Sequence, residues 1–108
     1  VREHGGNIRA AFEANIKRCG VADCITILEG DSALMAQKVG DGELDFCYID
    51  AAHDYESVRL DVAAWTPKIK PGGIIAGHDA QWHEVVRAAR EQYGSDNLMF
   101  IGNVWMRK

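Results

Sequence analysis

Two short apolar segments, each followed at once by ionisable side chains, restrict what this chain can fold into. The runs 46–49 and 74–76 are too short for helices and stand between turn-forming residues, which is typical of strands buried on both faces. About one helix of sequence separates them, so they are predicted to form a right-handed strand–helix–strand unit. If the two strands are neighbours, their carboxyl ends lie about 5 Å apart. Asp50 then meets His78 and Asp79 at the edge where open sheets bind ligands.

The first half of the chain shows one long helix signal followed by a strand and a shorter helix. Apolar residues recur at helical spacing over 8–19, after a loose start, and Asn7 is the predicted cap. Residues 24–28 are short and β-branched and therefore predict a strand. Asp31 or Ser32 can cap the helix that follows, which is expected to run to about residue 39.

The second half contains two further helices and a hairpin. Val58, Val62 and Trp65 form an apolar stripe, and the charged residues of that segment, Asp61 among them, fall mostly outside it. The predicted elements are a helix over 55–65, a turn at 72–73 leading into the second apolar strand, a helix over 82–93, and a hairpin over 98–101 and 104–106. Helices and strands that alternate in this way predict an α/β layered sheet.

Composition narrows the class of protein further. A chain of 108 residues is predicted to be one domain, 1–108, and its net charge of −4 argues against nucleic acid as the main partner. No apolar run approaches the roughly 18 residues of a membrane span, and no secretory leader is visible. A cytoplasmic protein without a membrane partner is expected. The three cysteines lack metal-ligand spacing and are predicted to be buried, reduced thiols.

Several of these segments together resemble a known family over essentially the whole chain. The chain resembles the carboxyl-terminal portion of a class I S-adenosylmethionine-dependent methyltransferase, in particular the group that methylates small molecules. The motifs that carry the resemblance are Tyr48-Ile49-Asp50, His53, Tyr55, Trp65, Pro71-Gly72-Gly73, His78-Asp79 and, after an earlier strand, Gly30-Asp31-Ser32. The family's opening strands, with their Gly-rich cofactor turn, have no counterpart here. The resemblance thus implies a Rossmann-like parallel sheet, with helices on both faces and a closing antiparallel hairpin, that lacks the first two strands of the full fold.

The resemblance also implies a cofactor site and two catalytic residues. S-adenosylmethionine is the implied methyl donor, and Asp31, Ser32 and Asp50 match positions that hold it; Asp31 and Ser32 are equally well explained as helix caps. Asp50 and His53 are the predicted catalytic residues. His53 lies three residues beyond Asp50, within reach of the same cleft as a general base. The alternative is a loop histidine bonded to Asp54 or to the backbone.

In related metal-dependent enzymes a divalent ion sits at the ends of these two strands, and Asp50, His78 and Asp79 match its ligands. A hard cation there would lower the pKa of an acceptor hydroxyl and align its oxygen for attack on the methyl group. Two carboxylates suit magnesium, and an added imidazole favours manganese or another transition ion. The alternative is that His78 turns away and Asp79 caps the helix that begins near Trp82.

Three functions are compatible with these residues. The first is methyl transfer to a small-molecule acceptor, on oxygen and assisted by a metal ion. The second is a truncated, non-catalytic module that acts through partner binding or as a homodimer, because an unpaired strand edge invites pairing with another chain. The third is a metal-dependent hydrolase that uses Asp50, His78 and Asp79 around an activated water, since fold alone does not decide function.

Overall fold

The computed structural model describes residues 2–50 and 54–108. Within these ranges the helices are α1 (Arg2–Arg18), α2 (Ser32–Met35), α3 (Tyr55–Trp65) and α4 (His83–Tyr93). The strands are β1 (Leu44–Ile49), β2 (Ile69–Gly77), β3 (Leu98–Ile101) and β4 (Val104–Arg107). Short 3-10 turns follow at Ala22–Cys24, Ala36–Lys38, Thr66–Lys68 and Ser95–Asn97.

The four described strands form one mixed sheet in the order β1-β2-β4-β3. β1 and β2 pair in parallel, with α3 between them in the chain, which confirms the predicted strand–helix–strand unit. Both contacts of β4, with β2 and with β3, are antiparallel, so the predicted hairpin closes the sheet. The α/β class with a Rossmann-like arrangement is therefore confirmed.

α3 and α4 pack against each other and against the sheet. The hydrophobic core lies between these two helices and the sheet. Trp105 of β4 is fully buried in this core, Trp65 is partly buried, and Trp82 is exposed. Because side chains alternate along a strand, Phe46 and Tyr48 project from the face of β1 opposite to Ile49. Phe46 is 55% exposed and Tyr48 is 43% exposed. The core buried between helices and sheet is made of Ile49, Val58, Val62, Ile69, Ile75, Val85, Ala88, Ala89, Leu98 and Trp105.

The predicted strand over 24–28 is wrong. Ile25 has extended backbone angles, but residues 25–28 pair with no strand of the described sheet. β-Branched residues favour an extended backbone locally, whereas a strand also needs a neighbour to complete its hydrogen-bond ladder.

Two element boundaries also differ from the prediction. α1 begins at Arg2 and includes the segment expected to be loose, because extending an existing helix adds one hydrogen bond per residue and so tolerates the glycines. β2 begins at Ile69 rather than at residue 74 and includes the predicted turn at 72–73. An irregularity in the register after Leu44 accommodates that turn within the ladder, and Gly72 takes a positive φ of 82° there.

The prediction that all three thiols are buried is wrong for two of them and only partly correct for the third. Cys47 on β1 is half-buried, whereas Cys19 and Cys24 are exposed. These two cysteines lie at the end of α1 and in the following turn, where no described element covers them. All three are free thiols.

Candidate metal and cofactor site

The ionisable residues after β1 and β2 converge, as the strand pairing requires. The parallel register places Ile49 opposite Gly77, and the N–H of His78 donates to the carbonyl of Ile49 at 3.0 Å. Nδ1 of His78 lies 3.1 Å from Oδ1 of Asp79 and 3.5 Å from Oδ1 of Asp50. One potential ligand atom from each of the three residues lies within 4.8 Å of the others. The sequence prediction that these side chains meet is therefore correct in geometry.

The backbone around Asp79 reverses the chain and fixes the cluster. Asp79 has φ of 65°, the one positive φ among the described non-glycine residues; aspartate tolerates this region better than most residues because its short side chain can bond locally. The carbonyl of Asp79 accepts the N–H of Trp82, and the N–H of Ala80 donates to the carbonyl of Asn103 in the β3–β4 turn. The strand end is thus anchored to both α4 and the hairpin.

The exposure of the three side chains suits a site open on one side. The side chain of Asp50 is 53% exposed and that of His78 is 40% exposed, while that of Asp79 is only 15% exposed. His78 faces both carboxylates instead of turning away. The N-cap of α4 is Trp82, which makes no side-chain cap bond. Two carboxylates and one imidazole at these separations can converge on a single divalent ion, with its remaining positions open to solvent.

A cavity of about 370 Å³ adjoins the cluster at the end of β1. Its wall includes Ser32, the first residue of α2, whose hydroxyl oxygen accepts the indole N–H of Trp65 at 3.0 Å. Asp31 precedes it and caps α2, its carboxylate accepting the N–H of Leu34 at 3.2 Å. The cavity is lined by Ser32, Cys47, Tyr48, Ile49, Asp50 and Trp65. Ser32 and Asp50, two of the three predicted cofactor residues, therefore face one cavity.

A larger cleft, of about 510 Å³, lies between α1 and residues 22–27. Its lining contains none of the predicted catalytic, cofactor-binding or metal-binding residues, and it lies away from the ends of the strands. Size alone therefore does not identify the site. The smaller cavity is the better candidate because it adjoins the convergent polar groups.

Comparison with known proteins identifies the family of the chain. Residues 2–80 match the family model described as Methyltransferase domain, a span of well over half the chain. The chain belongs to the methyltransferase domain family. This confirms the resemblance to class I S-adenosylmethionine-dependent methyltransferases. The domain is also similar to an uncharacterized protein, y4gI, of Sinorhizobium fredii (strain NBRC 101917 / NGR234), with 30% identity over 46 residues. That stretch is 43% of this chain and 5% of the relative, so the chain spans a small part of that relative's length.

Asp61 is a residue of this methyltransferase domain that the sequence interpretation misplaced. It was assigned to the charged side of α3, but it is 6% exposed. Burial raises the pKa of the Asp61 carboxyl, and a hydrogen bond from Ser32 partly opposes that rise. The signal was available in the spacing: Asp61 lies three residues after Val58 and four before Trp65, which puts it on their face of the helix.

Cys47 also lines the cavity of this methyltransferase domain. Burial, followed by the nearby charge of Asp61, raises the pKa of the Cys47 thiol at the cavity wall, so this cysteine is a poor nucleophile at neutral pH. His53 lies outside the described residues, and its role as a base stays a prediction.

Within the described ranges, no helix has both the length and the apolar character needed to cross a bilayer.

Proposed function

We propose that this domain transfers a methyl group from S-adenosylmethionine to an oxygen of a small-molecule acceptor, with a divalent ion held by Asp50, His78 and Asp79. The observation that carries the proposal is the position of these three side chains, within 4.8 Å of one another, directly beside the cavity that Ser32 and Asp50 line. Membership of the methyltransferase domain family supports the reaction type.

The cavity has properties suited to the nucleoside part of the methyl donor. Its volume of about 370 Å³ falls within the range of roughly 300–1,000 Å³ that is usual for small-molecule sites. Ile49 and Trp65 provide apolar walls against which a flat heterocycle can pack. Ser32 provides a polar atom at the rim, and Asp50 stands between the cavity and the cluster. A cofactor bound there would thus lie next to the metal ligands.

The donor set supports a divalent cation that has acceptor-facing positions free. Asp50 and Asp79 would supply carboxylate oxygens and His78 an imidazole nitrogen, a combination that favours manganese or another transition ion over magnesium. When bound, the ion would supply Lewis-acid activation of the acceptor hydroxyl. The protein's own contribution is to hold the carboxylates at the ends of two paired strands, with His53 as the proposed base that removes the hydroxyl proton.

Two binding measurements on the same protein test the proposed cofactor cavity and the proposed metal site. S-adenosylhomocysteine is titrated into the chain with and without Mn²⁺, and Mn²⁺ binding is followed separately by electron paramagnetic resonance. Asp79→Asn should weaken Mn²⁺ binding by about tenfold or more, since it removes the charge of a proposed ligand. Asp45→Asn is the matched control, because Asp45 is an exposed carboxylate near the other end of β1, paired with Lys70, and should leave Mn²⁺ affinity unchanged.

The outcomes separate this proposal from the hydrolase. Equal Mn²⁺ affinity in Asp79→Asn and the unmodified chain would contradict the proposed metal site. Absence of S-adenosylhomocysteine binding by a folded chain would contradict the proposal that the cavity binds the methyl donor. Hydrolysis of p-nitrophenyl acetate that needs Mn²⁺ and Asp79 would favour the metal-dependent hydrolase instead.

A second candidate, a module that acts through self-association, is favoured by the position of β1. In the described sheet β1 is an edge strand, and its Phe46 side chain is 55% exposed. Such an edge can pair with the same edge of a second copy. Sedimentation of the chain and of Phe46→Lys tests this: a dimer that the substitution converts to monomer supports the homodimer, and a monomer at high concentration contradicts it.

A further inference from the structure

The face of the sheet turned away from α3 and α4 carries apolar residues on every strand. Side chains alternate along each strand, and the strand pairing puts Phe46 beside Ile74 and Met99 beside Met106 on this face. A sheet face that meets water usually carries polar side chains. This face instead presents five large apolar residues that are each 40–61% exposed, which we call the open face: Phe46, Tyr48, Ile74, Met99 and Ile101.

Helix α1 is amphipathic, and its apolar side is also largely uncovered. Apolar residues recur at helical spacing over 8–19, and along 10–18 every residue is exposed except Ile16, which is half-buried. Ile16 lines the cleft beside residues 22–27. Phe12, one turn earlier on the same side of the helix, is exposed. The described part of the chain therefore contains a helix side and a sheet face that are both apolar and both open to solvent.

We propose that two copies of this chain exchange α1, so that α1 of each copy packs its Phe12 side on the open face of the other copy. The dimensions agree. α1 has 17 residues, which corresponds to a length of about 25 Å, and four strands side by side span roughly 15–20 Å. Helices would then lie on both faces of each sheet, which is the arrangement that buries two apolar faces.

The apolar area favours this exchange over direct contact between two open faces. At about 150–250 Å² for a large side chain, the exposed parts of the open face amount to roughly 500 Å². A standard interface buries roughly 800 Å² on each partner, so the open face alone is too small. Exchange of α1 adds Phe12 and the neighbouring apolar residues of the helix to the buried area of each copy. Pairing at the β1 edge would leave both surfaces exposed.

Sedimentation equilibrium of the unmodified chain and of two variants tests the interface. Phe12→Glu places a charge on the apolar side of α1, and Met99→Lys places one on the open face, on the strand at the opposite edge of the sheet from β1. Each should raise the dissociation constant of the dimer by about thirtyfold or more, as loss of a central interface residue does. Leu60→Lys is the matched control, because Leu60 is an exposed apolar residue of α3, and it should leave the dissociation constant unchanged.

Mixing the two variants tests the exchange itself. In a mixed dimer, the unmodified α1 of the Met99→Lys copy packs on the unmodified open face of the Phe12→Glu copy. The two introduced charges, which are opposite in sign, meet at the second contact. Because the loss in each variant is shared by two equivalent contacts, the mixed dimer should be tighter than either variant dimer by roughly fivefold. A mixture that associates no better than the separate variants would contradict the exchange.

The remaining outcomes are equally decisive and do not depend on the methyl donor. A chain that stays monomeric at high concentration overturns the inference. A dimer that neither Phe12→Glu nor Met99→Lys weakens also overturns it, since pairing at the β1 edge would give that result. Weakening by Met99→Lys alone would indicate contact between open faces without exchange of α1 and would contradict the proposal. Should Met99→Lys fail to fold by circular dichroism, Ile101→Lys places the same charge on the same face and is read in the same way.

Discussion

Replacing Gly77 with alanine would put a methyl group into the indole of Trp105. A Cβ built at Gly77 lies 2.4 Å from Cε2 and Nε1 of Trp105 and 2.5 Å from Cζ2, so it overlaps the ring by roughly 1 Å relative to ordinary carbon contacts. Neither the backbone at Gly77 nor the indole of Trp105 can easily shift to relieve this overlap. Gly77 is paired with Ile49 on one side and with Trp105 on the other, and Trp105 is fully buried with its ring 6.1 Å from that of Tyr93.

The expected cost follows from two opposing effects. Overpacking of this kind costs about 3 kcal/mol, the upper part of the usual range. Replacing glycine also reduces the freedom of the unfolded chain, which stabilises the fold by about 0.5–1 kcal/mol. The net loss in the free energy of unfolding is therefore about 2 kcal/mol, which lowers the melting temperature of a chain this size by roughly 8–10 °C.

Urea and thermal unfolding followed by circular dichroism measure this loss. Gly40→Ala is the matched control, because a Cβ there meets only the flexible carboxylate of Glu43, at 3.2 Å, and its effect should stay within about 0.5 kcal/mol. In a Trp105→Leu background the Gly77 substitution should cost much less than it does alone, because the indole is absent. An unfolding free energy of Gly77→Ala within about 0.5 kcal/mol of the unmodified chain would refute the packing argument.

Three further predictions concern single contacts. Asp54→Ala removes the carboxylate that caps α3 by accepting the N–H of Ser57 at 3.0 Å, so urea unfolding should show a loss of about 1 kcal/mol. Tyr93→Phe removes the 2.7 Å hydrogen bond to the hydroxyl of Thr66; it should lower the unfolding free energy by about 1 kcal/mol and leave S-adenosylhomocysteine affinity unchanged. Because folding raises the pKa of Asp61, its ionisation destabilises the folded state above that pKa, and this penalty disappears as pH falls below the unfolded pKa. Asp61→Asn should therefore be at least as stable as the unmodified chain at pH 7, with the difference shrinking toward pH 4 in urea titrations; a difference that is constant with pH would contradict the assignment.

Much of the candidate site followed from local sequence and one topological rule. Apolar runs that end in Asp50 and in His78-Asp79, separated by one helix, predicted a parallel pair whose ends meet, and the two strands do pair in that way. The closing hairpin was equally visible, since turn residues at 102–103 interrupt two apolar segments. These features depend on neighbours in the chain or on the handedness of a single crossover, so the sequence carries them directly.

What the sequence did not reveal depends on contacts between distant segments. Residues 25–28 look like a strand but have no partner in the described sheet. Asp61 looks like a surface acid but lies on the buried face of α3.

The amino-acid sequence by itself determined the alternation of helices and strands, the strand ends that carry ionisable residues and the turns between them, because periodicity and turn chemistry are local properties. Tertiary structure alone decided that Trp65 donates to Ser32 across 33 positions of the chain, that Asp61 is buried, and that Trp105 packs on Gly77. Burial and hydrogen-bond partners depend on which surfaces meet when the helices pack on the sheet. That packing is a property of the whole described fold, and no single segment contains it.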